Sequence, residues 1–111
     1  MSTSPFSLKG KRALITGGAQ GIGAALGRSL GEAGATVFVN SRSREKLDAC
    51  VNIFLAAGIE TKGFLFDVTD ARAVEQSIDS IEGQEGPIDI LVNNAGIIKI
   101  EPAENLKEED W

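Results

Sequence analysis

Thr16-Gly17-Gly18-Ala19-Gln20-Gly21-Ile22-Gly23 follows the apolar run Ala13-Leu14-Ile15 and opens a helical pattern. A strand that turns through glycines into a helix start forms a cradle for phosphate. Glycine turns tightly and puts no Cβ between the backbone and an anion, while the first helical turn aims N–H groups at it. The spacing is Gly-x-x-x-Gly-x-Gly rather than the Gly-x-Gly-x-x-Gly of the commoner dinucleotide fingerprint. The Gly-Lys-Ser/Thr ending of an ATP or GTP loop is absent, which disfavours a P-loop. A nucleotide is the ligand this stretch predicts, with a purely structural glycine turn as the alternative.

Outward from the loop, short apolar runs alternate with longer helical patterns. Lys11 to Thr16 reads as a first strand. Ile22, Leu26, Leu30 and Ala33 recur at helical spacing, with Gly34 as C-cap. Gly27 and Gly31 lie inside that helix at a propensity cost of about 1 kcal/mol each, which close packing would explain. Thr36 to Asn40 reads as a second strand. Ser43 to Ala57 is a second helix with Leu47, Cys50 or Val51, and Phe54 on one face, ending at Gly58. Thr61 to Phe66 gives a third strand. Thr69 is expected to cap a third helix through Val74, Ile78 and Ile81, closing near Gly83. Pro87 precedes a fourth strand, Ile88 to Val92. Such alternation implies parallel strands joined by right-handed crossovers, and a phosphate loop after the first strand makes the class doubly wound (Rossmann) α/β.

Composition narrows the partners. The 111 residues make one small domain, and 42% hydrophobic content is ordinary for a packed core. A net charge of −5, with no face that collects Lys or Arg, argues against nucleic acid. Arg42, Arg44 and Lys46 make only a local basic spot. No apolar stretch reaches the length of a membrane span, and residues 1–11 lack the apolar stretch expected of a secretory signal. The single cysteine, Cys50, allows no internal disulfide; together these features lead to the expectation of a cytoplasmic protein. Cys50 lies amid apolar helix positions with no basic partner and is expected to be a small core residue. There is no histidine, which removes the usual nucleophilic dyads and the common metal ligand, and no tyrosine, which removes a phenol proton donor.

The carboxyl end departs from this regularity. Asn105 and Glu108 have capping-box spacing, yet the sequence stops at Trp111, within the second turn. The fourth strand, apolar on both faces, is expected to present an unprotected edge. Both features read as an incomplete domain.

Four motifs in fixed order carry a family resemblance. Phe6-Ser7-Leu8-Lys9-Gly10-Lys11 leads in, and the Thr16 to Gly23 loop follows the first strand. Asp67 follows the third within Phe66-Asp67-Val68-Thr69, and Asn93-Asn94-Ala95-Gly96 follows the fourth. The whole chain resembles the amino-terminal portion of the short-chain dehydrogenase/reductase family. Asn94 to Lys99 and Glu108 to Trp111 are similar to members resembling gluconate 5-dehydrogenases.

The resemblance implies a dinucleotide site. Gly17, Gly21 and Gly23 would form the turn under the pyrophosphate with Gln20 in the loop, and Ile22 would lend its backbone near the nicotinamide side. Asp67 would accept from the adenine amino group beside the backbone of Val68, its structural alternative being a helix cap. Asn94, Ala95 and Gly96 would pass the ribose, while Asn93 is expected to tie strands together. After the second strand, an acidic residue would bind the ribose 2′-hydroxyl of NAD and an arginine the 2′-phosphate of NADP. Here Ser41 stands where NAD-specific members carry a carboxylate, and Arg42 follows it, so NADP is expected, with NAD as the alternative. Arg42 and Arg44 could instead be solvated residues at a helix start. Gln20 runs against NADP, because NADP-preferring relatives often place a basic residue there.

The family's acid–base tyrosine, its lysine and the accompanying serine and asparagine have no counterpart here, so no catalytic residue and no metal ligand is assigned. The expectation is the NADP-binding portion, residues 1–111, of an oxidoreductase that passes a hydride between nicotinamide and a carbonyl or secondary alcohol. A sugar acid such as gluconate is the expected substrate class, and a homo-oligomer is implied for the complete enzyme. A non-catalytic nucleotide-binding module is the first alternative. A methyltransferase-like domain is the second, disfavoured because Ser41 replaces the acidic residue it would want.

Overall fold

The computed structural model describes residues 7–93 and the backbone of 98–99. Asn94, Ala95, Gly96 and the capping-box signal at 105–111 lie outside the described residues. In chain order the elements are β1 (Arg12–Thr16), α1 (Gly21–Glu32), β2 (Thr36–Ser41), α2 (Arg44–Ala56), β3 (Thr61–Leu65), α3 (Ala71–Glu85), β4 (Ile90–Asn93) and β5 (Ile98–Lys99). The sheet order is β3-β2-β1-β4-β5. The first four strands pair in parallel, with Leu14 opposite Phe38 and Leu91, and Phe38 opposite Lys62.

Alternate residues of the central strands feed two separate cores, because successive strand side chains point to opposite faces. Ala13, Ile15, Val37, Val39, Ile90 and Val92 pack on one face with Leu47, Cys50 and Phe54 of α2 and with Leu26 and Leu30 of α1. Leu14, Phe38 and Leu91 pack on the other with Ile81 and Ile78 of α3, Ile88 and Phe64. Phe38 and Phe64 meet edge to face, their ring centres 5.5 Å apart. Such aromatic pairs add roughly 0.5–1.5 kcal/mol beyond the area they bury. Cys50 is buried, as expected of a core residue, with its Sγ 3.7 Å from the Gly18 carbonyl.

Several boundaries differ from the sequence reading for identifiable reasons. Strand β4 begins at Ile90 rather than Ile88. Before it, Asp89 uses its own N–H and a carboxylate oxygen to bracket Arg12, donating to the Arg12 carbonyl and accepting from the Arg12 N–H, both at 2.9 Å. Asp70, not Thr69, caps α3, accepting from the Arg72 and Ala73 N–H groups at 3.0 and 3.2 Å. That helix continues past Gly83 to Glu85 and stops at Gly86, whose φ is 101°. The expectation of an unprotected edge on the fourth strand is also corrected. Strand β5 pairs antiparallel with β4, Leu91 opposite Lys99 and Val92 opposite Ile98, and supplies the hydrogen-bonding partner that the apolar run alone did not reveal. At the opposite edge, Lys62 of β3 reaches Glu85 of α3 at 2.7 Å.

Close approach accounts for the two glycines inside α1. A Cβ at Gly27 would come within 3.2 Å of the Phe54 ring, and one at Gly31 would overlap the Ile59 side chain. Gly83, by contrast, has no atom within 4 Å of where its Cβ would stand. Gly83→Ala should therefore stabilise the protein by about 0.5–1 kcal/mol through helix propensity. Gly31→Ala should destabilise it by about 1–3 kcal/mol, and by less when Ile59→Ala is also present. Urea unfolding measures both; equal gains at the two glycines would refute the packing account.

Candidate functional site

The carboxyl ends of β1, β2 and β3 open into a cleft of about 270 Å³ lined by Gly17, Gln20, Asn40, Ser41, Arg42 and Ser43, with Ala19, Lys46, Phe66 and Val68. This is the end of a doubly wound sheet where ligands bind. The backbone of its loop is set by two glycines with positive φ, Gly17 at 61° and Gly21 at 63°, a conformation that other residues adopt only under strain.

The three helix starts among the described residues are finished differently. Helix α2 is capped by the Ser43 hydroxyl, which accepts from the Lys46 N–H at 3.4 Å, and carries Glu45 in its first turn. Helix α3 is capped by Asp70. Helix α1 begins after Gln20 with no side-chain cap and no acidic residue in its first turn. Its leading N–H groups, at Gly21, Ile22 and Gly23, therefore have no carboxylate from their own cap or first turn to satisfy them or to offset their dipole. The Ile22 side chain is 72% exposed at this start, while Gly23 is buried.

The basic spot divides in two. Arg44 pairs with Asp48 one helical turn on at 3.8 Å, both side chains largely exposed, a contact worth little in stability. Arg42 and Lys46 line the cleft, and neither closes an ion pair with a carboxylate among the described residues. The Ser41 hydroxyl accepts from the Ser43 N–H at 3.0 Å and so turns the chain from β2 into α2, placing Arg42 at the bend.

Asp67 follows β3 between two cleft residues, Phe66 and Val68, and is exposed. Its Oδ1 accepts from the Thr69 N–H at 2.9 Å and from the Thr69 hydroxyl at 2.8 Å. The backbone bond and then the hydroxyl bond from Thr69, helped by the positive charge of Arg42, hold its carboxyl below the usual aspartate range. The helix-capping alternative for Asp67 does not hold, because Asp70 caps α3. Asn93 does tie strands, as expected: it is buried, and its Oδ1 accepts from the Thr16 hydroxyl at 3.4 Å.

The cleft thus gathers Gly17, Gln20, Ser41, Arg42 and Val68 from among the expected residues, with Gly21, Ile22 and Gly23 opening α1 and Asp67 beside Val68. Lys46 enters the sequence reading only as part of the basic spot, and Asn40 only as the end of a strand. Lys46 sits one turn beyond Arg42, and that it lines the cleft depends on how α2 lies against the ends of β2 and β3. Asn40 reads as one polar letter at the end of a strand.

A lowered carboxyl pKa stabilises the 67–69 turn above the ordinary aspartate value of about 4 and withdraws that support as pH falls through the lowered value. An NMR titration of the Asp67 carboxyl carbon should show a midpoint below that ordinary value. Thr69→Val, which removes the hydroxyl donor, should move it upward; a midpoint unaffected by the substitution contradicts the assignment.

The family model described as short chain dehydrogenase matches residues 11–111. Gluconate 5-dehydrogenase of Gluconobacter oxydans (strain 621H) is 46% identical over 106 residues, which cover 96% of this chain and 41% of that protein. The crystal structure of 2-keto-3-deoxy-D-gluconate dehydrogenase from Streptococcus agalactiae superposes with a TM-score of 0.77 at 42% identity, covering 95% of this chain and 40% of that one. A gluconate 5-dehydrogenase from Burkholderia cenocepacia J2315, solved in complex with NADP and tartrate, gives a TM-score of 0.76 at 43% identity, covering 96% of this chain and 42% of that one. The chain thus spans about two-fifths of the length of these relatives. A parallel sheet with a glycine loop after its first strand, matched along nearly the whole sequence, places this chain in the short-chain dehydrogenase family.

Proposed function

We propose that residues 1–111 form the amino-terminal part of a Rossmann domain that binds NADP within an oxidoreductase acting on a carbonyl or secondary alcohol. One observation carries the reading above the rest: Arg42 and Lys46, neither of which closes an ion pair among the described residues, line the same cleft as Gly17 and Val68. A planar guanidinium and an ammonium together suit a phosphate monoester better than a ribose hydroxyl. Ser41, where a carboxylate would repel that phosphate, is neutral.

On this reading the backbone of Gly17, Gln20, Gly21, Ile22 and Gly23 holds the pyrophosphate against the uncapped start of α1. Ser41, Arg42 and Lys46 hold the 2′-phosphate, and Asp67 and Val68 the adenine edge. The two Thr69 bonds fall on Oδ1, so Oδ2 is the oxygen available to an exocyclic amine. Asn94, Ala95 and Gly96, which lie outside the described residues, take the ribose by family resemblance. The bound nicotinamide supplies hydride transfer. This chain's own residues bind and orient the dinucleotide, and with no tyrosine or histidine they supply no acid–base group of the family's kind. The gluconate and 2-keto-3-deoxy-D-gluconate dehydrogenases among the relatives support a sugar acid as substrate of the whole protein.

In the full-length protein, Arg42→Asp should shift the kcat/KM ratio from NADP toward NAD, and Lys46→Ala should weaken NADP severalfold while leaving NAD nearly unchanged. Equal losses for both cofactors in both variants would assign these residues to folding instead. Assayed alone with NADPH and a 5-ketogluconate, the 111-residue chain should show no carbonyl reduction, and clear turnover would contradict the assignment of its role to binding. Tight NADP binding by a full-length protein that reduces no carbonyl would favour the non-catalytic alternative.

A further inference from the structure

Asn40 is 1% exposed and is the polar residue at which three strand ends meet. Its Oδ1 accepts from the Gly17 N–H at 3.0 Å. Its Nδ2 donates to the Phe66 carbonyl at 2.9 Å and to the Phe64 carbonyl at 3.3 Å. Its own carbonyl accepts from the Gly18 N–H at 3.0 Å. One amide therefore uses both of its polar atoms in opposite directions, toward the loop after β1 and toward the exit of β3.

We infer that Asn40 is a positioning residue that locks the phosphate loop to the β3 exit, so that both walls of the cleft are preset before any ligand arrives. The inference rests on the nucleotide reading above. The two segments it joins are those that the reading assigns to opposite ends of one molecule: the loop from Gly17 to the pyrophosphate, the Phe66–Val68 exit to the adenine. Nothing in a hydrophobic strand requires an amide at this place, since Val37 and Val39 show what the interior of β2 otherwise selects. A buried amide carries a desolvation cost that is offset only when its donors and acceptor are used, and here they are used across chain segments about two dozen residues apart on either side.

The energetic consequence is preorganisation. A loop already fixed at Gly17 and Gly18 need not be ordered when the dinucleotide binds, so less of the contact energy is lost to that ordering. The effect of Asn40 should fall on NADP and NAD alike, because the groups it holds touch what the two cofactors share. Arg42, in contrast, acts on the difference between them.

The test uses the full-length protein. Calorimetric titration of Asn40→Leu, similar in shape but without polar atoms, should give Kd values about tenfold or more higher for both cofactors, with their ratio unchanged. Asn40→Asp keeps the acceptor for Gly17 and loses both donors, and should fall between that variant and the wild type. In the unsubstituted apo protein, the Gly17 amide should already be protected from hydrogen exchange, and NADP should change its protection little. A folded Asn40→Leu variant with a lowered melting temperature and unchanged Kd values would overturn the inference, leaving Asn40 merely structural. So would a Gly17 amide that exchanges freely until NADP is added, a result that decides the matter even if Asn40→Leu does not fold. A wild-type protein that binds neither dinucleotide, with Gly17 protected, would instead overturn the nucleotide reading.

Discussion

Strands β1 and β2 are enclosed on both faces, and that enclosure governs where polar chemistry can occur in this molecule. Every interior side chain from Ala13 to Ile15 and from Val37 to Val39 is fully buried and apolar. A polar group at any of those places would need a partner inside a hydrocarbon layer. The buried polar residues of these strands and of β4 are consequently found at one end only: Thr16, Asn40 and Asn93. There they form a chain of side-chain bonds across the sheet, Thr16 to Asn93, Gly17 to Asn40, and Asn40 to the β3 exit. The other end of the sheet is tied by the Arg12–Asp89 pair of bonds.

The same enclosure explains why the fold was legible. Strands apolar on both faces, separated by helical repeats, have few ways to pack, and the glycine loop fixed which end would be open. The second helix is legible nearly to the residue because Ser43 is a good cap and Gly58 a good stop. The start of α3 was misplaced by one residue because Asp67, Thr69 and Asp70 are all competent to end a turn or begin a helix. Only three-dimensional proximity shows that Thr69 is consumed by Asp67 while Asp70 reaches Arg72 and Ala73. The pairing of β5 with β4 was not legible either, since Ile98-Lys99 is too short to show a strand period.

That Gly17 and Arg42 lie at the cleft is legible in the sequence, because glycine in a turn and arginine after a strand signal their place by type. The division of the basic spot was not. Arg42 and Arg44 stand two apart in sequence; the helical spacing of Arg44 and Asp48 allows their contact, but that Arg42 alone of the two lines the cleft follows only from the bend between β2 and α2. Asn40 was opaque for a different reason: its role is a relation among three loops, and no single-residue property encodes a relation.

The absent methyl groups at Gly27 and Gly31 have a reach beyond the stability of α1. They set the height at which the helix rides over Phe54 and Ile59, and the helix is a rigid rod whose other end is the uncapped start at Gly21. A residue larger than glycine at either position must displace either the neighbouring side chain or the helix itself, and where the helix yields, its start moves with it. Substitutions at these two positions could therefore alter the geometry of the loop end of the helix without changing any residue that lines the cleft.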